Sequence, residues 1–286
     1  MKAKMPTHVL IVANWRKEAA HHLSSTIIDY LQEKGIKTTL FKTRDAIEKI
    51  TIPEEAGLVI CLGGDGTVLY CARYLHTHGV PILAINLGTF GFVTEISVDE
   101  WQEAIDLFLA GKHTISRRLM VRTTVIRNQE RVYTAHALNE MVIASNGLSK
   151  VVRLEMRIGE TEAGLFRSDG MIIATPTGST GYNLAAGGPI LDVDLSCLLI
   201  TPICPFTLSN RPLVVSGESK ITITVPHGQR TGLMLSLDGQ QNFPLAEGDV
   251  VEVEKSQSKA LLVVSQRRNF TEVLRDKLNW SGGMHA

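Results

Sequence analysis

The chain is 286 residues long, enough to bury a large core and to form two domains of ordinary size. Its 44% hydrophobic and 20% charged content belongs to a soluble globular protein, with no apolar run of the about 18 residues that a membrane helix needs. With 29 basic against 29 acidic residues there is no broad field to attract nucleic acid or an anionic membrane, so only a local basic pocket stays open as an electrostatic site.

Val9 to Ala13 predicts a buried strand, followed by a helix with Leu23, Ile27, Tyr30 and Leu31 on one face, stopped by Gly35. Lys37 to Phe41, with β-branched Thr38 and Thr39, predicts a second strand. A third, Leu58 to Leu62, empties into Gly63-Gly64-Asp65-Gly66-Thr67, after which Val68, Leu69, Ala72 and Leu75 mark a helix. Pro81 to Asn86 is a fourth strand and ends in Leu87-Gly88-Thr89-Phe90-Gly91-Phe92. Strands separated by helices imply parallel pairing with right-handed crossovers, hence a doubly wound, Rossmann-like α/β domain. Ligands of such sheets bind beyond the carboxyl ends of the strands, where both glycine loops belong. Ser97 to Glu100 has capping-box spacing before a helix with Trp101, Ile105 and Phe108 on its apolar side.

Past Gly111 the texture changes. Short apolar or alternating runs recur at 119–126, 131–137, 141–145, 151–158, 171–175, 196–203, 212–216, 220–225, 233–237, 249–254 and 260–265, punctuated by turn signals such as Asp238-Gly239. They predict a β-rich, sandwich-like second domain over 116–265. Phe270 to Trp280 returns to helical spacing with Val273, Leu274 and Leu278 and is expected to pack back on the first domain, which thus comprises 1–115 and 266–286. Cys61, Cys71, Cys197 and Cys204 have no C-x-x-C spacing; buried free thiols in a reducing compartment fit them, and with no signal-peptide pattern a cytoplasmic location is expected.

The loop at 63–67 carries the chemistry. Glycines between a strand and a helix bring backbone N–H groups close to a phosphate, but Asp65 in their midst would repel one. A carboxylate there suits a hydroxyl that must lose its proton, or a metal bridging phosphates; the alternative is a tight turn with Asp65 capping the helix. Phe90 and Phe92 either cover an adenine or pack in the core. In the second domain, Asn139-Glu140 interrupts an apolar run: either the pair binds a vicinal diol or it faces water at a strand end. From Arg167-Ser168-Asp169-Gly170 through Thr177-Gly178-Ser179-Thr180-Gly181-Tyr182-Asn183, hydroxyls and glycines gather around a flat tyrosine face, a composition that suits a nucleotide; the alternative is a plain structural loop.

Gly-Gly-Asp-Gly-Thr at 63–67, Asn139-Glu140 and the Thr175 to Asn183 run with Gly187-Gly188-Pro189 together resemble the bacterial ATP-NAD kinase family. Leu87-Gly88 with Gly91-Phe92, Thr201 to Pro205, Leu208 to Pro212 and Asp238-Gly239-Gln240 extend the resemblance over about residues 57–245. It implies phosphoryl transfer from ATP with Mg²⁺ to NAD, with Asp65 as general base toward the adenosine ribose 2′-hydroxyl. It implies that Asn139 and Glu140 hold adenine and ribose groups, that Asp169 faces the nicotinamide end, and that Thr177 with Thr180, Gly181, Tyr182, Asn183, Leu184 and Ala185 wraps the dinucleotide near Gln240. Gly66 and Phe92 join Asp65 on the NAD side, and Gly63, Gly64, Gly66 and Thr67 form the phosphate loop. Lys150 and Arg167 fall where the family often has pocket residues; each meets a dinucleotide phosphate or is a solvated surface charge.

Two departures are Gly181, where the family commonly has Ala, and Phe206, where many members have His. No protein ligand for the metal is legible, polyphosphate stays open as the donor, and a homodimer or homotetramer is implied. The alternatives are a diacylglycerol-type lipid kinase sharing the Gly-Gly-Asp-Gly loop and an NAD(P) sensor without turnover.

Overall fold

The computed structural model describes residues 6–44, 48–88, 91–147 and 150–279; Phe90 and Trp280, both singled out in the sequence, lie outside the described residues. The chain divides into two units, residues 1–117 with 260–286 and residues 118–259.

The first unit opens with β1 (His8–Asn14), α1 (Glu18–Glu33), β2 (Lys37–Thr43), β3 (Ala56–Gly63), α2 (Asp65–Leu75), β4 (Ile82–Asn86), α3 (Trp101–Leu109) and β5 (Ile115–Arg118). The second unit contributes β6 (Val121–Arg127), β7 (Glu130–Ala137), β8 (Glu140–Ser145), β9 (Val152–Ile158), β10 (Thr161–Ser168), β11 (Gly170–Ala174), the single turn α4 (Tyr182–Ala185), β12 (Cys197–Ile203), β13 (Leu213–Ser216), β14 (Ile221–Thr224), β15 (Leu233–Leu237), β16 (Gln241–Leu245) and β17 (Val250–Lys255). The chain then returns to the first unit with β18 (Ala260–Val263) and α5 (Phe270–Leu278).

In the first unit the sheet order is β2-β1-β3-β4-β18-β5, with parallel pairs β1–β2, β1–β3, β3–β4 and β4–β18. Alternate residues Val9, Ile11 and Ala13 of β1 and Leu58, Ile60 and Leu62 of β3 form one core with Leu23, Ile27 and Leu31 of α1 and Ile105 and Phe108 of α3. The period of 2 in the strands meets the period of 3 to 4 in the helices at this face. Ser97 and Glu100 close the expected capping box ahead of α3, and Asn269 with Glu272 closes another at the start of α5. The strand expected over 260–265 in the β-rich domain is β18 of this first sheet instead. Its apolar residues match either setting, and only the pairing partner β4 decides.

The second unit has two six-stranded antiparallel sheets, β10-β9-β14-β17-β6-β7 and β13-β12-β11-β8-β15-β16. Inward residues of both, among them Val121, Val125, Leu154, Val251, Met141, Ile143, Ile173 and Leu235, make a single core, which is the sandwich the alternation predicts. The other face of β8 and β11 buries Val142, Ile172 and Ala174 under the segment that carries Ala186 and Leu191. That layer seats the 177–188 loop over the start of β8. Among the cysteines, Cys61 and Cys71 are buried as expected, whereas Cys204 is exposed in the turn after β12.

Candidate active site

In the first unit the 63–67 turn follows β3 at the carboxyl edge of the sheet. Gly64 caps α2 without any side-chain hydrogen bond, so Asp65 does not cap its own helix. Its carboxylate turns to the loop after β4 instead. Oδ2 accepts from Phe92 N–H (2.9 Å), and Oδ1 accepts from Val93 N–H (3.2 Å), Thr94 N–H (3.0 Å) and the Thr94 hydroxyl (2.9 Å). Gly91 is required beneath this clasp, because a Cβ there would overlap Asp65 Oδ1. A carboxylate offers about four acceptor directions, so Oδ1 is fully engaged while Oδ2 keeps one for a further donor.

Around this clasp, Gly63 and Thr67 are buried and touch closely enough that a Cβ at 63 would strike the Thr67 side chain, while Gly66 is exposed. The half-buried Phe92 carries the Lys277 ammonium over its ring, 4.9 Å from the centroid. Burial lowers the Lys277 pKa below the usual lysine range, and the Asp65 charge opposes that shift. The repulsion that Asp65 alone offers a phosphate is therefore offset by backbone donors and a nearby cation, a compensation invisible in the local sequence.

In the second unit Asp238 organises the site. Its carboxylate accepts three successive backbone N–H groups, from Leu138 (2.8 Å), Asn139 (2.8 Å) and Glu140 (3.0 Å), and its own N–H donates to Glu140 O (3.0 Å). The sequence presented Asp238 as a turn signal and as part of the Asp238-Gly239-Gln240 motif; its positive φ of 51° fits that turn, but its grip on residues 138–140 has no local signature. Glu140 is 7% exposed, and no partner meets its Oε2. Burial pushes the Glu140 carboxyl up to about 8, with the Asp238 charge adding to the shift. Asn139 Oδ1 and Thr177 Oγ1 are likewise buried without a hydrogen-bond partner.

The 177–181 turn lies directly on this pair. Gly178 packs so closely on the Asn139 carbonyl that no side chain fits, and a Cβ on Gly181 would stand 3.0 Å from Glu140 Oε2 and 3.3 Å from Asn139 Nδ2. Thr180 donates to Thr177 O (3.3 Å), and Tyr182 is 46% exposed beside half-buried Leu184 and exposed Ala185. Asn183 departs from expectation. Its side chain is fully buried, donating to Ser179 O (3.0 Å) and Pro189 O (3.1 Å) and accepting from the Thr201 hydroxyl (2.6 Å), so it braces the loop and both of its amide donors are already engaged.

Lys150, Arg167 and Asp169 are exposed, and Gln240 is half-buried in the turn after β15. Arg167 stands opposite Arg153 across β9 and β10, and both line a pocket of about 330 Å³ with Arg230, whose carbonyl accepts from Lys150 Nζ (3.4 Å). Like charges placed directly across strands are unfavourable unless an anion lies between them. Among the described residues no group of three or more His, Cys, Asp or Glu gathers to hold a metal, and no helix is long and apolar enough to cross a membrane.

The profile of the ATP-NAD kinase N-terminal domain matches residues 17–113, and that of the ATP-NAD kinase C-terminal domain matches residues 138–265. The NAD kinase of Geobacter sp. strain M21 is 40% identical over 262 residues, 92% of this chain and 90% of its own. The chain belongs to the NAD kinase family. The NAD kinase of Treponema denticola, 37% identical, covers 96% of both chains. An NAD kinase from Archaeoglobus fulgidus solved in complex with ATP superposes with a TM-score of 0.75 at 26% identity, over 95% of this chain and 98% of the other. Yeast NADH kinase solved with NADH shares the fold, with a TM-score of 0.87 at 24% identity over 99% of this chain and 90% of the other. These NAD kinase relatives are phosphotransferases, which favours neither the lipid kinase nor the sensor alternative.

Proposed function

We infer that this NAD kinase family member transfers the terminal phosphoryl group of ATP to the adenosine ribose 2′-hydroxyl of NAD, forming NADP and ADP. The observation that carries the reading is the cluster of buried polar atoms without partners at Glu140, Asn139 and Thr177. Such groups are costly unless a polar ligand satisfies them, and a nucleoside with its vicinal hydroxyls supplies both donors and acceptors. Asn139, Glu140 and Thr177 are thus the nucleoside contacts, and the 180–182 turn covers them.

Asp65 is the general base. The open acceptor direction of Oδ2 takes the proton of the 2′-hydroxyl as that oxygen bonds to the γ-phosphorus, and the bond to the β–γ bridging oxygen breaks, releasing ADP. The donor is MgATP, and bound Mg²⁺ would neutralise the charge of the transferring phosphate. Arg167 and Lys150, close to the Arg153 and Arg230 pocket, meet the negative charge of the dinucleotide.

A homo-oligomer is supported by the exposed apolar side chains Phe206 (77%), Leu208 (84%), Leu213 (48%) and Val214 (44%), which follow one another along a loop and edge strand of the second unit. The free thiols agree with a cytoplasmic setting. The deciding experiment is an assay with MgATP and, separately, NAD, 2′-deoxy-NAD and diacylglycerol. NAD turns over, the 2′-deoxy compound binds without reacting, and NADP competes with NAD. Product phosphate on the 3′-oxygen, or turnover of the 2′-deoxy compound, overturns the acceptor assignment.

A further inference from the structure

In the order β2-β1-β3-β4 the chain turns back between β1 and β3, and the crevice beyond the carboxyl ends of the strands at such a reversal is where open α/β sheets receive ligands. Three connections end there: the β1–α1 turn, the 63–66 turn and the start of the loop after β4. The sequence drew attention to the last two through their glycines; the first has none. It has Lys17, three residues beyond β1, in extended backbone at the head of α1.

The half-buried Lys17 side chain crosses the crevice. Its ammonium donates to Leu87 O at 3.1 Å, lies 2.9 Å from where a Cβ of Gly88 would stand, and lies 4.0 Å from the same position on Gly64. Both glycines therefore present bare backbone to one cation. Among the described residues the ammonium meets this one carbonyl and no carboxylate, since Asp65 is turned away into the 92–94 loop. An ammonium has three donors, so two remain for an acceptor that enters over the glycines. A half-buried cation with only a neutral partner is costly until an anion joins it.

We propose that Lys17 binds the phosphates of the phosphoryl donor, its ammonium held by the Leu87 carbonyl where the 63–66 and 87–88 turns meet. This rests on the NAD kinase reading for the identity of the donor, MgATP, whereas anion binding at the ammonium itself does not depend on that reading. The Leu87 carbonyl fixes the ammonium, so the charge sits in place before the ligand arrives, and the missing Cβ atoms at 64 and 88 let phosphate oxygens approach it. Methionine at 17 keeps the length and apolar stem but not the charge.

The test compares wild type, Lys17→Met and Lys17→Arg. Kinetics are run with MgATP and NAD each varied, and binding of inorganic triphosphate is measured by calorimetry. Lys17→Met is expected to raise KM for MgATP and Kd for triphosphate by about 10- to 100-fold, the scale of a lost charge-assisted hydrogen bond, with KM for NAD within about twofold. Lys17→Arg recovers part of the loss. Unchanged MgATP and triphosphate constants, or an equal rise in both KM values together with a lower Tm, overturns the proposal. In wild type, amine acetylation of Lys17 read by mass spectrometry falls on adding MgATP and not on adding NAD; undiminished labelling is also fatal, and this arm needs no variant to fold. If wild type binds MgATP yet never phosphorylates NAD, the kinase reading fails while the triphosphate and labelling results still decide Lys17.

Discussion

In the first unit Asp65 lies half-buried among four hydrogen-bond donors, whereas in the second Glu140 is more deeply buried and has an oxygen that meets none. The donors to Asp65 come from three consecutive residues of a loop, so the carboxylate is fixed in direction and the loop is fixed to it. For Glu140 the three donors of its own stretch are taken by Asp238, which holds the backbone still and leaves the Glu140 side chain to burial and a neighbouring negative charge. On the proposed function, one arrangement aims a base, and the other holds a nucleoside contact ready for its ligand. Residue type is nearly the same; the surrounding donors make the difference.

The sharpest way to break this comparison is Asp65→Asn. The amide no longer takes a proton, and its Nδ2 is set against the Phe92 N–H if Oδ1 keeps its three donors. A fall in kcat of about 10²- to 10⁴-fold is expected, with a loss of stability of about 1–3 kcal/mol from the mismatched hydrogen bond. A kcat near wild type would remove the base role.

Next in size is the pH response of the other carboxyl. Glu140 moves from the ordinary 4.5 to about 8 on folding, so between these values the folded chain keeps a proton that the unfolded chain has released. Stability from this group is therefore fully present below pH 4.5 and declines as pH rises through about 8, by about 5 kcal/mol at most for a shift of this size. Glu140→Gln is expected to flatten that decline in denaturant titrations at pH 5 and pH 8. Equal slopes for the two proteins would mean that Glu140 is solvated after all.

Asp238→Ala leaves three backbone N–H groups without their acceptor, and a loss of about 3 kcal/mol in urea unfolding is expected together with weaker NAD binding. Asn139→Ala removes only one buried amide, which should weaken apparent NAD affinity by about 1–3 kcal/mol without lowering kcat in proportion. Unchanged KM values would return this pair to a structural role. The smallest effect belongs to Gly181→Ala, whose new methyl sits 3.0 Å from Glu140 Oε2. A shift of a few tenths of an ångström relieves it, so a change of no more than about threefold in KM for NAD is expected, within 1 kcal/mol by the usual conversion.

Much of the fold was legible in the chain, and the omissions share a cause. The expected strands of both units form, but β5, β10 and β16 were not expected, and each is at the edge of its sheet. Edge strands bury little, so their side chains need not alternate: β10 is largely exposed and bulges at Gly164, and β16 carries Pro244, which an edge tolerates. The capping box at Ser97 and Glu100 was found because its signals are three residues apart, whereas the one at Asn269 and Glu272 was not expected. The change of sheet at β18 was missed because the same apolar run fits a parallel or an antiparallel neighbour.

Local pattern determined the alternation of strands and helices in the first unit, the sandwich in the second, and the motifs whose spacing is short: the 63–67 turn, the Asn139-Glu140 pair and the 175–183 loop. Tertiary structure alone decided what each motif residue touches. It set Asp65 against residues 92–94, Asp238 under 138–140 from a hundred residues away, Lys17 across to Leu87, and Asn183 inward to Thr201 instead of toward a ligand. Hydrogen bonds and charge pairs act over a few ångströms whatever the separation along the chain. Periodicity therefore shows which residues are buried or turned, and only the folded backbone shows which donor each acceptor has found.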